Sequence, residues 1–264
     1  MPYVTSHGTN IYYEVHGTAK PTLILAHGMG GNAAIWFNQL ADFVADYRVI
    51  IFDHRYFARS ACAAADFKPA WFADDVLAIM DAEDIATATF ICQSMGGWTG
   101  SQMALQHPAR VERLVMSHTP GIFTHASADN DVATVAASIS APSTSGPSAS
   151  AFSSPALAAD YPAKNPAGAV LYQQISSFNG VDPAVIPRSI GAARLGINTD
   201  DLGDYAIPTL FISADKDSLF PAPYIQALAA TLPGAQFINL GDAGHSSYFE
   251  LPAAFNAAVR GFIH

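Results

Sequence analysis

Apolar runs of strand length alternate with segments of helical period along the first 120 residues. Residues 22–26, 49–52, 89–92 and 113–116 are almost continuously apolar, as strands are when helices cover both faces of a sheet. Between them, residues 32–45, 70–85 and 95–107 carry apolar side chains at helical spacing, and Pro108 stops the last. This alternation predicts repeated βα units and a mainly parallel sheet. Residues 10–15 predict an outer strand at the sheet edge. From about residue 122 to 205 the pattern fades, and residues 133–155 are nearly all Ala, Ser, Thr and Pro. Sheet grammar resumes at 208–213, followed by a helix over 222–232, a last strand at 236–239 and a terminal helix from Tyr248. A core of residues 1–121 and 206–264 is therefore expected, with residues 122–205 inserted as a helical lid before the last two strands. A linker is the competing reading of the insertion.

Composition narrows the class. A chain of 264 residues suits one large α/β domain with an insertion, and 50% hydrophobic against 13% charged residues supplies a sizeable core. The formal charge of −10, without any Lys/Arg cluster, excludes nucleic acid as a partner. The first residues lack a basic then apolar leader pattern, and no apolar run approaches a bilayer's thickness, so the expectation is a cytoplasmic protein with no membrane partner. Cys62 and Cys92 are too few for a disulfide scaffold or a cysteine-built zinc site, and are expected to be reduced and structural.

Candidate chemistry begins where the 89–92 strand runs into Cys92-Gln93-Ser94-Met95-Gly96-Gly97 and then a helix. A strand, a sharp turn and a helix in that order expose one hydroxyl, and the helix start supplies unpaired amides. These residues resemble the nucleophile elbow of the α/β-hydrolase family, G-x-S-x-G, with Cys92 in the first glycine position. The resemblance covers roughly residues 10–121 and 206–264 and implies an α/β-hydrolase fold: a mostly parallel sheet flanked by helices, with Ser94 as nucleophile.

A serine hydroxyl needs a neighbouring base, and the base needs an acidic partner. After the 208–213 strand, Ser213-Ala214-Asp215-Lys216-Asp217 is similar to the family's acid loop and implies Asp217, with Asp215 as the competing choice. Gly241-Asp242-Ala243-Gly244-His245 matches the family's Gly-His loop and implies His245 as base. The two donors that an oxyanion requires are then the amides of Met95 and, from Ala26-His27-Gly28-Met29, of Met29. His118, Trp98 and Tyr248 are candidates for the pocket, as is Phe249, each with core packing as the alternative. Residues 53–60 occupy the place of the family's D-x-R-G-x-G-x-S segment, but Tyr56 and Ala58 replace its glycines, which suggests an altered pocket wall.

The resemblance implies a serine hydrolase cleaving a small, largely apolar carboxylic ester or lactone through an acyl-enzyme. No metal or organic cofactor is implied, because side chains and backbone amides complete the chemistry. Hydrolysis of a carbon-carbon bond in a diketone by the same residues is the alternative, with Arg188 or Arg194 holding a substrate carboxylate. A ligand-binding or sensor protein with a slow triad is the third reading. Perhydrolase and lyase chemistry, the natural substrate and the oligomeric state lie beyond what these motifs determine.

Overall fold

The computed structural model describes residues 2–125, 152–182, 184–186, 189, 193 and 196–264. Its strands are β1 (Tyr3–Ser6), β2 (Thr9–His16), β3 (Thr22–Ala26), β4 (Arg48–Phe52), β5 (Ala88–Gln93), β6 (Val111–Ser117), β7 (Phe123–Thr124), β8 (Ile197–Asn198), β9 (Thr209–Ser213) and β10 (Gln236–Asn239). Eight of them form one sheet in the order β1-β2-β4-β3-β5-β6-β9-β10. β2 runs antiparallel to both β1 and β4, and every other pairing in this sheet is parallel. The outermost strand is thus β1, and β2, expected at the edge, is second. The four residues of β1 are mostly exposed and carry little apolar signal.

The helices are α1 (Phe37–Phe43), α2 (Phe72–Ala82), α3 (Gly96–Gln106), α4 (Tyr161–Lys164), α5 (Pro166–Ser177), α6 (Ala222–Ala229), α7 (Ser247–Glu250) and α8 (Pro252–Ile263). The first two expected helices open as tight 3-10 turns, Ala33–Trp36 and Pro69–Trp71, and the terminal one breaks between α7 and Pro252. Pro252 lacks an amide hydrogen and its ring clashes with a preceding turn, so it starts α8 and does not continue α7.

Alternation along the strands splits the core in two. Ile24, Ile50, Phe90, Leu114 and Phe211 pack on one side with Val76, Ile79, Met103 and Ile225. Leu25, Ile51, Ile91, Val115 and Ile212 pack on the other with Phe43, Phe255 and Val259. Successive strand residues face opposite layers, and both layers are apolar, which is why these strands read as unbroken apolar runs.

Residues 118–208 leave the sheet between the neighbouring strands β6 and β9 and return to it. Within that excursion β7 and β8 pair in a small parallel sheet where no strand was expected. Ala169, Tyr172 and Ile175 of α5 join the layer that holds Trp36 and Phe249. Most of the Ala/Ser/Thr/Pro stretch, and both Arg188 and Arg194, lie outside the described residues. Among the described residues no helix is long and apolar enough to cross a membrane.

The chain leaves β3 towards β4 on one side and returns to β5 on the other. Loops leaving the two strands at such a switch point diverge and open a crevice at their carboxyl ends. Ala26 of β3 lies level with Cys92 of β5, so the Met29 loop and the Ser94 turn emerge side by side at that crevice.

Candidate active site

Ser94 stands in a left-handed turn, φ +50°, between β5 and α3. That conformation costs a serine on the order of 1 kcal/mol, and the surroundings hold it: Ser94 N donates to Ser117 O at 3.0 Å and Gly97 N to Ser94 O at 2.8 Å. Gly96 and Gly97 are needed for room, since a Cβ there would run into the backbone of Ala26 and the side chain of Thr119. The Cys92 thiol fits in the family's glycine position because the opposing helix residue is itself glycine. A Cβ on Gly100 would stand 2.6 Å from Cys92 Sγ. Burial pushes the Cys92 thiol up, leaving it an inert packing group.

Asp217 and His245 meet beside this turn. His245 Nδ1 donates to Asp217 Oδ1 and Oδ2 at 3.1 and 3.0 Å, which leaves Nε2 with its lone pair. That Nε2 is buried and has no hydrogen-bond partner among the described residues, while His245 and Ser94 both line one cavity. Asp217 Oδ1 also accepts from Leu219 N and Phe220 N, each at 2.9 Å. Burial opposes ionisation of Asp217, but the charge of His245 and the hydrogen bonds from His118 and His245 outweigh it. They hold the carboxyl well below the usual carboxylate range. Asp215 is exposed and accepts from Asn239 Nδ2 at 2.7 Å, away from either histidine.

His118 is fully buried and is not among the residues lining that cavity. Its Nδ1 donates to Asp217 Oδ2 at 2.8 Å, and its Nε2 accepts from Ser247 Oγ at 2.7 Å. Tyr248, a pocket candidate with core packing as its other reading, is 1% exposed and packs against Trp36 and Phe255. Phe249 is likewise in the core. Trp98 does line the cavity.

The cavity, about 220 Å³, is walled by Met29, Met95, Trp98, Pro120, Leu219 and Phe220, among others. Tyr172 and Ser176 of α5 close it from the excursion. None of its described lining residues is Lys, Arg, Asp or Glu. The amides of Met29 and Met95 are taken up by no turn and no side chain among the described residues, and each residue borders the cavity with Ser94.

Three positioning contacts escaped sequence reasoning. Gln93 Nε2 donates to His245 O at 3.1 Å, and its Oε1 fills the place a Cβ on Gly28 would take, so one side chain spaces the Met29 loop from the His245 loop. Asn179 Nδ2 donates to Gly30 O at 3.3 Å, and Ser176 Oγ donates to the same carbonyl, pinning the Met29 loop to the end of α5. Glu250 accepts from Gly244 N at 3.0 Å and from Ala158 N, where a side chain on Gly244 would meet the backbone of Leu157 and Ala158. Gln93 fills a variable place in its motif and Asn179 lies in the stretch of weak pattern, so no local signal marked them.

Residues 53–60 form a brace beneath the Met29 loop. Asp53 accepts from Ala33 N at 2.7 Å and from Arg59 Nε at 2.8 Å, and Arg55 is fully buried against Asp75. His54 N donates to His27 Nε2 at 3.0 Å while His27 Nδ1 donates to Gly28 O at 2.7 Å, which requires a neutral His27 ring. Burial pulls His27 down to about 4 and His54 well below the ordinary imidazole value. Tyr56 and Ala58 are not among the lining residues of this cavity, but Tyr56 packs against the same buried cluster as Met29 and Trp98, which are.

Among the described residues, His118, Asp217 and His245 are the group whose ligand-type atoms fall within 4.8 Å of one another. Their facing nitrogens already donate to the carboxylate, so the array is complete as a hydrogen-bonded one. It leaves His245 Nε2 able to accept a proton at the cavity that Ser94, Met29 and Met95 also line.

Known proteins resemble this chain along most of its length. A RutD protein named for carbamate hydrolysis, from Caulobacter sp. (strain K31), is 30% identical over 96% of this chain and 95% of its own length. Another RutD of the same name, from Variovorax paradoxus (strain S110), is 32% identical over 96% of each chain. The crystal structure of the enol-lactonase from Burkholderia xenovorans LB400 superposes with a TM-score of 0.81 and 26% identity, covering 99% of both chains. Residues 21–252 match the family model described as the alpha/beta hydrolase fold, and this chain belongs to that family of hydrolases.

Proposed function

We propose that the protein is a serine hydrolase that cleaves small, largely apolar carboxylic esters or lactones through an acyl-enzyme. The observation that carries this reading is the joint lining of one apolar cavity by Ser94, in its left-handed turn, and His245, whose Nδ1 is held by Asp217. Ser94 Oγ attacks the carbonyl carbon as its proton passes to His245 Nε2, and Asp217 stabilises the imidazolium. The oxyanion is received by the amides of Met29 and Met95. Collapse expels the alcohol oxygen, which takes the proton back from His245. Water, deprotonated by His245, then releases the acid and restores the Ser94 hydroxyl. Residues 122–205 act as a cap, a role supported by Tyr172 and Ser176 at the cavity.

Carbamate cleavage is the second reading, favoured by the names of the RutD relatives. It uses the same attack on a carbonyl flanked by nitrogen. The diketone reading draws no support here, because no cationic side chain stands among the described lining residues and Arg188 and Arg194 lie outside the described residues.

Intact-protein mass after brief exposure to a fluorophosphonate tests the reading without any guess at substrate. One adduct is expected on the native chain and none on Ser94→Ala, with turnover of the best ester, lactone or carbamate falling by about 10⁴-fold or more. An adduct on neither, with both folded, would refute an activated Ser94. Carbamate turnover well above that of matched esters and lactones would replace the first substrate class with the second.

A further inference from the structure

We infer that His118 is a positioning residue for the acid of the site: it locks the Asp217 carboxylate in the plane that serves His245 and takes a share of its charge. The inference goes beyond the acyl-transfer reading but rests on it, because it assigns His118 no contact with substrate.

The geometry leaves Asp217 little freedom. Oδ1 is held by two amides of its own loop, Leu219 N and Phe220 N. Oδ2 is held at 2.8 Å by His118 Nδ1, which follows β6, the strand paired with β9. With both oxygens anchored, the carboxylate cannot rotate about its Cβ–Cγ bond without breaking a hydrogen bond, and the direction left open faces His245 Nδ1. A carboxylate free to rotate would hold the base in its working tautomer only part of the time.

The tautomer of His118 is fixed as well. Its Nδ1 must carry the proton, since a carboxylate accepts, so Nε2 accepts from the Ser247 hydroxyl at 2.7 Å. Ser247 lies two residues after His245, so His118 ties β6, the Asp217 loop and the His245 loop into one unit. The titratable groups acting on it are Asp217 and His245, and burial holds the ring below the ordinary imidazole value despite Asp217, with His245 acting in the same direction. His118 therefore remains a neutral donor while His245 takes up and returns a proton.

A structural peculiarity supports a role beyond packing. His118 has φ +55°, a left-handed conformation uncommon outside glycine and taken up more readily by Asn, Asp and His than by other side chains, and it hydrogen-bonds Asp217 directly. Strain kept at such a place has a positioning purpose when the strained side chain is what reaches the acid. An apolar residue at this left-handed position would gain nothing in backbone conformation and would donate nothing to Asp217.

The test compares His118→Asn, His118→Leu and Ser247→Ala with the native chain. Asparagine places an N–H at the position of Nδ1 and tolerates a left-handed backbone, while leucine fills the space without a donor. Readouts are the pH dependence of fluorophosphonate labelling at Ser94, and the low-field proton resonance of His245 Nδ1–H, which needs no catalysis. His118→Leu is expected to label about tenfold to a hundredfold more slowly. Its acid limb should move up by about one pH unit, because Asp217 no longer shares its charge. Its low-field resonance should broaden or shift. His118→Asn should restore most of the rate and both signatures, and Ser247→Ala should fall between. The inference is overturned if folded His118→Leu keeps the native acid limb and resonance, or if His118→Asn is as impaired as His118→Leu. Failure of the native chain to label would instead count against the acyl-transfer reading, and the resonance would still decide the role of His118.

Discussion

Two loops of this molecule replace glycines of the family pattern, and they do so by opposite means. At the end of β5 the glycine is required for space, and Cys92 takes its place because Gly100, across the contact on α3, carries no side chain. In the 53–60 loop the glycines are required for conformation: Tyr56 and Ala58 retain positive φ, +79° and +40°, although neither is glycine. Room can be transferred from one partner of a contact to the other. A backbone dihedral belongs to one residue, so its strain stays in place and must be offset by neighbours. At the second loop the offsetting contacts are Tyr56 N to Ser60 O at 2.8 Å, Ala58 N to Asn179 O at 3.2 Å and Asp182 N to Tyr56 Oη at 3.2 Å.

The largest effect should come from acid, acting on the conformational loop. Its attachment to the Met29 loop passes through His54 N to His27 Nε2 and needs His27 neutral. Burial lowers His27 to about 4, so between about 6.5 and 4 the unfolded chain binds more protons than the folded one. Stability is therefore full above 6.5 and declines as pH falls through that window, on the order of 3 kcal/mol for His27 alone. His54 and His118 act in the same direction. Burial raises Glu250, whose carboxyl works in the opposite sense and trims the loss. Urea unfolding at pH 7 and pH 4.5 measures this, and a midpoint unchanged or raised at the lower pH would remove the neutral-histidine account of the loop's attachment.

Gly100→Ala should come next, destabilising by about 1 to 3 kcal/mol as the added methyl meets Cys92 Sγ and Leu114 Cδ1. Combining it with Cys92→Gly should recover at least about 1 kcal/mol relative to the sum of the single changes, read from a denaturation cycle. Purely additive effects would show that the two positions do not share one space.

The smallest effect separates the two strained residues. Ala58→Gly relieves a left-handed alanine at little loss of packing and should raise the melting temperature slightly, worth up to about 1 kcal/mol. Tyr56→Gly relieves similar strain but deletes the hydroxyl that accepts from Asp182 N and the ring that packs 5.4 Å from Phe67, so it should lower stability. Equal shifts for both in a thermal melt would mean that backbone strain, not side-chain packing, governs the loop.

Much of the fold was legible because buried parallel strands are apolar on both faces, and such runs stand out at 22–26, 49–52, 89–92 and 208–213. Ser94, Asp217 and His245 were marked by motifs that resemble those of the α/β-hydrolase family, and the structure brings Asp217 to His245 and sets His245 and Ser94 on one cavity. β1 escaped because four mostly exposed residues carry no such run, and β7 and β8 because two-residue strands are defined by pairing alone. Tyr248 was open to a pocket or a core place, and only its packing against Trp36 and Phe255 sets it in the core.

The alternation of the central strands and helices, and the motifs that resemble the α/β-hydrolase family, lie in the sequence itself, since periodicity and turn propensity act over a few neighbours. Tertiary structure decided which carboxylate serves His245, sending Asp217 inward and Asp215 to the surface although they are two residues apart. It also decided that His118 and His245 share that carboxylate, that Asn179 pins the Met29 loop, and that Gly100 makes room for Cys92. Each of these contacts joins groups remote in the chain, and no local pattern encodes a distance that the packing of helices on a sheet creates.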